Sequence, residues 1–318
     1  MNSREYPLIL LLLAFIVSFG FIFHDSYLIS IMIAIGLLVM NLIGLDLIYG
    51  YCGQVDFGHQ AFYALGAYFT AILVVRLGIS PLVAITGGAL LSSFVAFLIG
   101  KILFRLRGYY FILATMIFGL ITYYAFGALP EWTGGMTGMP VPYLSLGNWV
   151  VDSEIGYYWV VWILVIIMLV IALNIVRGRT GRALKAISAS EIAAETLGID
   201  ITKYLIEIYV LGAAFASIAG SLLAHHERFV VPYYFGVGAM VMMFVALCLG
   251  GKGTIWGSLL GGTVLTILPE FMYVFKTYST LFYGVVFVLT LTLLPDGLAG
   301  LLKSGVSVLS GKFKLRIS

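Results

Sequence analysis

A succession of apolar stretches separated by short polar breaks constrains this chain more than any other feature. The stretches lie near 7–23, 27–49, 57–77, 81–100, 109–129, 157–176, 204–225, 237–250, 255–269 and 278–295. Most approach the roughly 20 apolar residues that a helix needs to cross a bilayer. A chain built this way must satisfy its backbone polar groups internally, and helices do so within each segment. The pattern predicts an all-α polytopic membrane protein with about ten spans. The eighth and ninth stretches are short and divided only by Gly250-Gly251-Lys252-Gly253-Thr254. They read as a tight hairpin or as one interrupted element, so the expectation runs from eight to about ten spans.

Composition agrees. Only 10% of the 318 residues are charged and 62% are hydrophobic, against about 25% charged in soluble domains. The surface therefore meets membrane lipid over most of its area. A net charge of +3 is too small to suggest nucleic acid as a partner. Cys52 and Cys248 sit in apolar surroundings and read as small buried hydrophobes. Arg4 before the run 7–23 has the polarity of a signal peptide, but Phe23-His24-Asp25-Ser26 offers no small-x-small cleavage site. The run is expected to stay as the first span.

Basic residues set the orientation. With the N-terminus inside, every Lys and Arg except Arg76, Arg228 and Lys276 falls on the cytoplasmic side. Both termini are therefore expected in the cytoplasm. Two polar segments interrupt the single transmembrane domain, 1–318. The outer loop, 130–156, has no Lys or Arg, carries Glu131, Asp152 and Glu154, and is rich in Gly and Pro. It is expected to be irregular or lightly structured. The inner loop, 177–203, has helical character, with Ser190 as N-cap for 191–197 and Gly198 as terminator. A short helix at the cytoplasmic surface suits docking.

Polar residues inside the apolar pattern are the candidates for function. The segment Gly50-Tyr51-Cys52-Gly53-Gln54-Val55-Asp56-Phe57-Gly58-His59-Gln60 breaks an apolar run. It is either a break buried in protein along a solute path or an ordinary turn between spans. Asp46 and Glu207 lie within spans, where ionisable groups face a pathway or snorkel to the interface. Gly212, Ala216 and Gly220, with Ala213, Ser217 and Ser221, form a small-residue packing face. Gly257 and Gly261 form another. The segment ending in Lys252-Gly253 lacks the first glycine and the Ser or Thr of a phosphate loop. Adjacent His225 and His226 diverge on a helix, so with Glu227 they read as an interfacial cluster and not as metal ligands. No catalytic constellation stands out, and the chain is not expected to be an enzyme.

Several motifs occur in order: Gly53-Gln54 with Gly58-His59, Ala61-Phe62 and Gly66-Ala67-Tyr68; Gly108-Tyr109-Tyr110-Phe111 with Ala114-Thr115 and Phe118-Gly119; Thr133-Gly134-Gly135 with Gly138. They continue with Gly181-Arg182-Ala183-Leu184-Lys185-Ala186-Ile187, then Glu191, Ala193, Ala194 and Gly198. Leu249-Gly250-Gly251, Gly253-Thr254-Ile255-Trp256-Gly257 and Pro295-Asp296-Gly297-Leu298 complete the series. Through them the chain resembles the permease subunits of branched-chain amino acid type ABC importers. It departs in having Asp46 where the family often has Asn, Asp56-Phe57 in place of Ser-Leu, and one extra residue between Glu191 and the Ala pair.

The resemblance implies an importer-like helical bundle in the bacterial cytoplasmic (inner) membrane. Its partners would be a second permease subunit, homologous or identical, two cytoplasmic ATPase subunits and an extracytoplasmic solute-binding protein. ATP would be used by those partners, with no cofactor and no metal on this chain. Asp46, Gly53, Gln54, Gly58 and His59 become substrate-path candidates. Arg182, Glu191, Ala193, Ala194 and Gly198 become ATPase-coupling candidates, and Glu131, Asp152 and Glu154 docking candidates for the binding protein. Urea, short amides or nucleosides fit the same architecture as branched-chain amino acids do. A proton-coupled secondary transporter using Asp46 or Glu207 is the contrasting class.

Overall fold

The computed structural model describes residues 6–23, 25–147 and 149–271, together with 288, 292 and 297–301. The long helices are α1 (Tyr6–Ile22), α2 (Ser26–Cys52), α3 (His59–Leu77), α4 (Pro81–Leu103), α5 (Tyr109–Gly127), α7 (Glu154–Arg177) and α10 (Ile201–Glu227), followed by α11 (Val237–Gly250) and α12 (Ile255–Phe271). Shorter helices are α6 (Pro130–Thr133), α8 (Arg179–Ala189) and α9 (Glu191–Thr196). Local signals start several of them. Asp25, Ser153 and Asp200 cap the N-termini of α2, α7 and α10, and Pro81 opens α4 where a missing N–H costs nothing.

The all-α polytopic reading holds. Among the described residues six helices, α2, α3, α4, α5, α7 and α10, are long and apolar enough to span a bilayer. Helix α1, with 17 residues, is slightly shorter. The eighth and ninth stretches form α11 and α12, bent by 119° at the Gly-rich break and packed on each other. The tenth expected span, 278–295, lies outside the described residues apart from 288 and 292.

Helices α2 and α10 form the buried centre, whereas α4 and α5 turn most of their apolar surface outward. Neighbouring helices in lipid gain little from hiding apolar surface, so close backbone approach carries much of the packing. The small-residue face of α10 provides it. Gly212 meets Gly44 of α2: a Cβ on either would come within 2.8–2.9 Å of the other's carbonyl oxygen. On the adjoining side, a Cβ at Gly220 would collide with the Tyr63 carbonyl, and one at Gly66 with the Ser217 carbonyl. Ser221 Oγ donates to the Gly66 carbonyl at 3.0 Å and lies 2.8 Å from Thr70 Oγ1, which ties α3 to α10. Helices α11 and α12 use the same device, with Gly250 against Gly257 and Gly261 against Ala246.

The outer segment is more ordered than its Gly and Pro content predicts. Leu144–Leu146 (β2) and Trp149–Val151 (β3) form an antiparallel hairpin. Met139–Pro140 (β1) pairs with Phe229–Val230 (β4), the strand that follows α10. Glycines permit this, because Gly134, Gly135, Gly138 and Gly147 all take positive φ.

Gly220→Leu is expected to destabilise the bundle by about 3 kcal/mol, since backbone and not a flexible side chain blocks the new atoms. Gly238→Ala, where nothing lies within 4 Å, serves as control. Thermal unfolding in detergent checks this. Equal midpoints for the two variants would remove the close-packing account of α10.

Candidate functional site

The break after α2 is a built turn. Helix α2 stops because Gly53 adopts φ 76° and its N–H, with that of Gln54, returns to the carbonyls of Tyr49 and Ile48. Residues 53–58 then turn back into the bundle. Asp56, fully buried, accepts the Gly58 N–H on Oδ1 at 2.9 Å, while its Oδ2 lies 3.7 Å from His59 Nδ1. Phe57 N–H donates to Thr115 Oγ1 on α5 at 3.2 Å. Gly58 passes so near α5 that a Cβ would sit 2.6 Å from the Thr115 carbonyl. His59 is buried beneath the Gly44–Gly212 crossing. Gly58 and His59 thus lie in a packed joint among α2, α3, α5 and α10, in which Asp56 fixes the local turn and the Phe57 N–H ties it to α5.

The inner segment carries two helices. Helix α8 buries Gly181, Ala183, Leu184 and Ile187 and exposes Arg182. Gly181 is required by packing, because a Cβ there would overlap the Val176 carbonyl at the end of α7. Helix α9 begins at Ser190, whose Oγ accepts the Ala193 N–H at 3.3 Å. It ends at Gly198, φ 79°, with Ile199 N–H returning to the Ala194 carbonyl at 3.1 Å. Ala194 is buried and Ala193 exposed. Two apolar side chains, Ile192 and Leu197, stand out from α9 at 73% and 77% exposure.

One side chain of the break reaches this helix. Gln54 Nε2 donates to Glu191 Oε1 at 2.9 Å. Together with Gly198, Glu195, Asp200 and Arg107 these two residues line a cleft of about 410 Å³. The outer face of the turn contacts α8 as well, since a Cβ on Gly53 would lie 3.1 Å from Ser188 Oγ. Gly53 and Gln54, expected on a solute path, therefore sit against the inner helices α8 and α9.

Asp46 makes a third connection from α2. It is fully buried, and its Oδ1 accepts the Gly253 N–H at 2.7 Å, at the bend between α11 and α12. Gly50 makes room for this, as a Cβ there would overlap the carboxylate. Glu207 is exposed on α10 and belongs to neither junction. The end of α2 is thus hydrogen-bonded to the α11–α12 bend, and the turn that follows it is hydrogen-bonded to α9.

Helix α7 separates this end from the outer segment. There Glu131, Asp152 and Glu154 are all exposed. Glu154 Oε2 lies 3.3 Å from His226 Nε2, and Arg76 Nη2 donates to the Glu131 carbonyl at 2.7 Å. Arg228 stacks 4.1 Å over the Tyr143 ring. His225 Nδ1 meets the Pro142 carbonyl at 2.8 Å, which joins α10 to the outer segment. Among the described residues no three His, Cys, Asp or Glu are grouped to hold a metal.

A second cavity, of about 340 Å³, opens among α2, α3, α10, α11 and α12. Its walls are Leu38, Asn41, Tyr63, Leu223, Glu227, Tyr234, Ala239, Met242, Met243 and Leu265. None of Asp46, Gly53, Gln54, Gly58 and His59 lines it. Asn41 was legible as a lone amide in the run from Leu37 to Gly44, a signal overshadowed by the charged Asp46 one turn on.

Comparison with known proteins agrees with this architecture. The family described as "Branched-chain amino acid transport system / permease component" matches residues 27–291. The high-affinity branched-chain amino acid transport system permease protein LivM of Salmonella typhimurium is 30% identical over 296 residues, covering 86% of this chain and 70% of that protein. The corresponding LivH protein of Escherichia coli is 28% identical over 276 residues, covering 81% and 89%. A probable LivH permease of Methanocaldococcus jannaschii is 28% identical over 284 residues, covering 83% and 89%. No solved structure matches. The chain belongs to the family of permease components of branched-chain amino acid transport systems.

Proposed function

We propose that this chain is the membrane-spanning subunit of an ATP-driven importer for branched-chain amino acids. It works with a second permease subunit, two cytoplasmic ATPase subunits and an extracytoplasmic solute-binding protein. Both termini face the cytoplasm, as the distribution of Lys and Arg favours. The carrying observation is α9: a capped helix that projects Ile192 and Leu197 outward while Glu191 is bonded to Gln54. Exposed apolar side chains beyond the end of a bundle suit insertion into a groove on a partner protein.

The mechanism follows from the connections. An ATPase that grips Ile192 and Leu197 pulls on α9, and Gln54 passes the displacement to the end of α2. Asp46 passes it further, through Gly253, to the bend between α11 and α12. Gly251 and Gly253, at φ 110° and 72°, give that bend backbone freedom that other residues lack. On the opposite side Glu131, Asp152 and Glu154 offer carboxylates to basic groups of the binding protein. The buried hydrogen bond from the Gly253 N–H to Asp46 supports a connecting role for this carboxylate.

Reconstitution with candidate ATPase and binding-protein partners tests the class. ATP-dependent accumulation of labelled leucine, with little of labelled urea, is the expected result. Accumulation driven by an ion gradient in the absence of ATPase subunits would overturn it. Gln54→Ala and Glu191→Ala should each lower solute imported per ATP by about tenfold, the scale of one charge-assisted hydrogen bond. The double variant should lose no more than the worse single one. Additive losses would mean that the two residues act separately. Gly198→Pro forces φ from +79° to about −65°. It should abolish coupling yet leave the chain in the membrane, and unaltered uptake would count against the role of α9.

A further inference from the structure

We propose that His226 is a proton-operated guard on the outer docking surface: as an imidazolium it occupies Glu154 and Glu227, and loss of its proton frees both carboxylates for a cationic side chain of the binding protein. The identity of that partner rests on the importer reading. The guard itself is built from residues of this chain.

The carrying observation is where the two ring nitrogens sit. Nε2 lies 3.3 Å from Glu154 Oε2, at the start of α7, and Nδ1 lies 3.6 Å from Glu227 Oε1, at the end of α10. A neutral imidazole has one N–H and one bare nitrogen. With its proton on Nε2 the ring donates to Glu154 and turns a lone pair toward Glu227, and the other tautomer reverses the conflict. Only the doubly protonated ring attracts both carboxylates. The ring is 9% exposed, but Glu154 and Glu227 are 43% and 44% exposed, so protons reach it through carboxylates that water wets.

The surrounding groups leave this exchange to His226. From α7, Tyr157 sets its ring 5.3 Å from the imidazole and donates its hydroxyl to the Leu222 carbonyl. From α3, Tyr63 shares a cavity wall with Glu227, as does Tyr234 beyond β4. Both carry phenols, uncharged where imidazole titrates. Within α10, His225 is buried and turns its Nδ1 to the Pro142 carbonyl. Arg228 stacks on Tyr143, and among the described residues no Lys or Arg forms an ion pair with either carboxylate. Asp152, shortly before Glu154 in the chain, is exposed and adds to the negative charge of this end. Loss of the ring's proton therefore makes the surface more negative by a full charge and releases Glu154 from its cationic partner. A docking cation gains by both changes. Linkage is reciprocal, so a cation settling between the carboxylates weakens the ring's hold on its proton by the same factor. Docking is thus looser at low pH and tighter at high pH.

The test uses the complete importer in lipid nanodiscs with its solute-binding protein as the probe. Kd is measured at about pH 5.5 and about pH 8.5, on either side of the ordinary imidazole value of about 6.5. His226→Gln supplies an amide where the neutral ring stood. The wild type should bind about tenfold more weakly than this variant at the lower pH, the scale set by one nearby like charge, and equally at the higher. Taking the ratio removes titration of the binding protein itself. His226→Lys keeps its charge throughout and should bind weakly at both values. Glu227→Gln is the second variant if His226→Gln does not assemble, and it should shrink the pH effect. Thermal unfolding of the chain alone in detergent gives a readout free of partners. The tie exists only with the proton, so the wild type's higher midpoint over His226→Gln should fade as pH rises. A Kd ratio that stays constant across the range overturns the guard, and binding-protein-stimulated ATP hydrolysis in those samples keeps the importer reading. A midpoint advantage that fades with pH, in a chain that no binding protein engages, keeps the tie and overturns that reading.

Discussion

The close approach of α10 to α2 and α3 is the constraint on which the rest of the structure depends. Lipid offers helices no water to escape from, so association relies on contacts that only small residues permit. Gly44 against Gly212, Gly66 against Ser217 and Gly220 against Tyr63 bring three backbones together. The hydroxyls of Ser221 and Thr70 then bond across the interface. With this centre fixed, α2 becomes a rigid member whose two ends meet different surroundings. Its middle borders the cavity at Asn41, and its last turns engage the inner helices.

Polar groups in α2 mark that division of labour. Asn41 and Asp46 are each buried with one unmatched oxygen, but Asp46 also accepts the Gly253 N–H, and Gln54, two residues past the helix, is half-buried and bonded. The two bonded residues join α2 to the α11–α12 bend and to α9, the elements with glycine at their ends. Motion of α9 has a direct route through side-chain hydrogen bonds to a backbone bend packed against Gly50. The same route needs no residue exposed to lipid.

Much of the architecture was legible in the sequence because hydrocarbon imposes a simple pattern. The runs that became α1 to α5, α7 and α10 could be read from length and hydropathy, as could the capping of α9 by Ser190 and its stop at Gly198. Hydropathy does not encode the angle between short helices, so the break at 250–254 stayed open between two readings. The outer segment has no alternation long enough to reveal β2 and β3, and β1 pairs with β4, far along the chain beyond α10. Of the site, charge drew the eye to Asp46 and glycine to Gly53. Their roles as connectors depend on which helices lie alongside, and no local pattern states that. Asn41, neutral and isolated, carried the weaker signal and faces the cavity.

The central claim is that α9 and the inner end of α2 move as one body when the ATPase closes. It is tested most directly by joining them covalently. In a chain lacking Cys52 and Cys248, Gln54→Cys and Glu191→Cys would be bridged by a short thiol cross-linker in the assembled importer. The account expects ATP-driven leucine uptake, lowered in the unbridged double variant by loss of the Gln54–Glu191 bond, to be restored by bridging. Uptake that stops on bridging and returns when the linker is cleaved would show that the two elements must separate, and would contradict it.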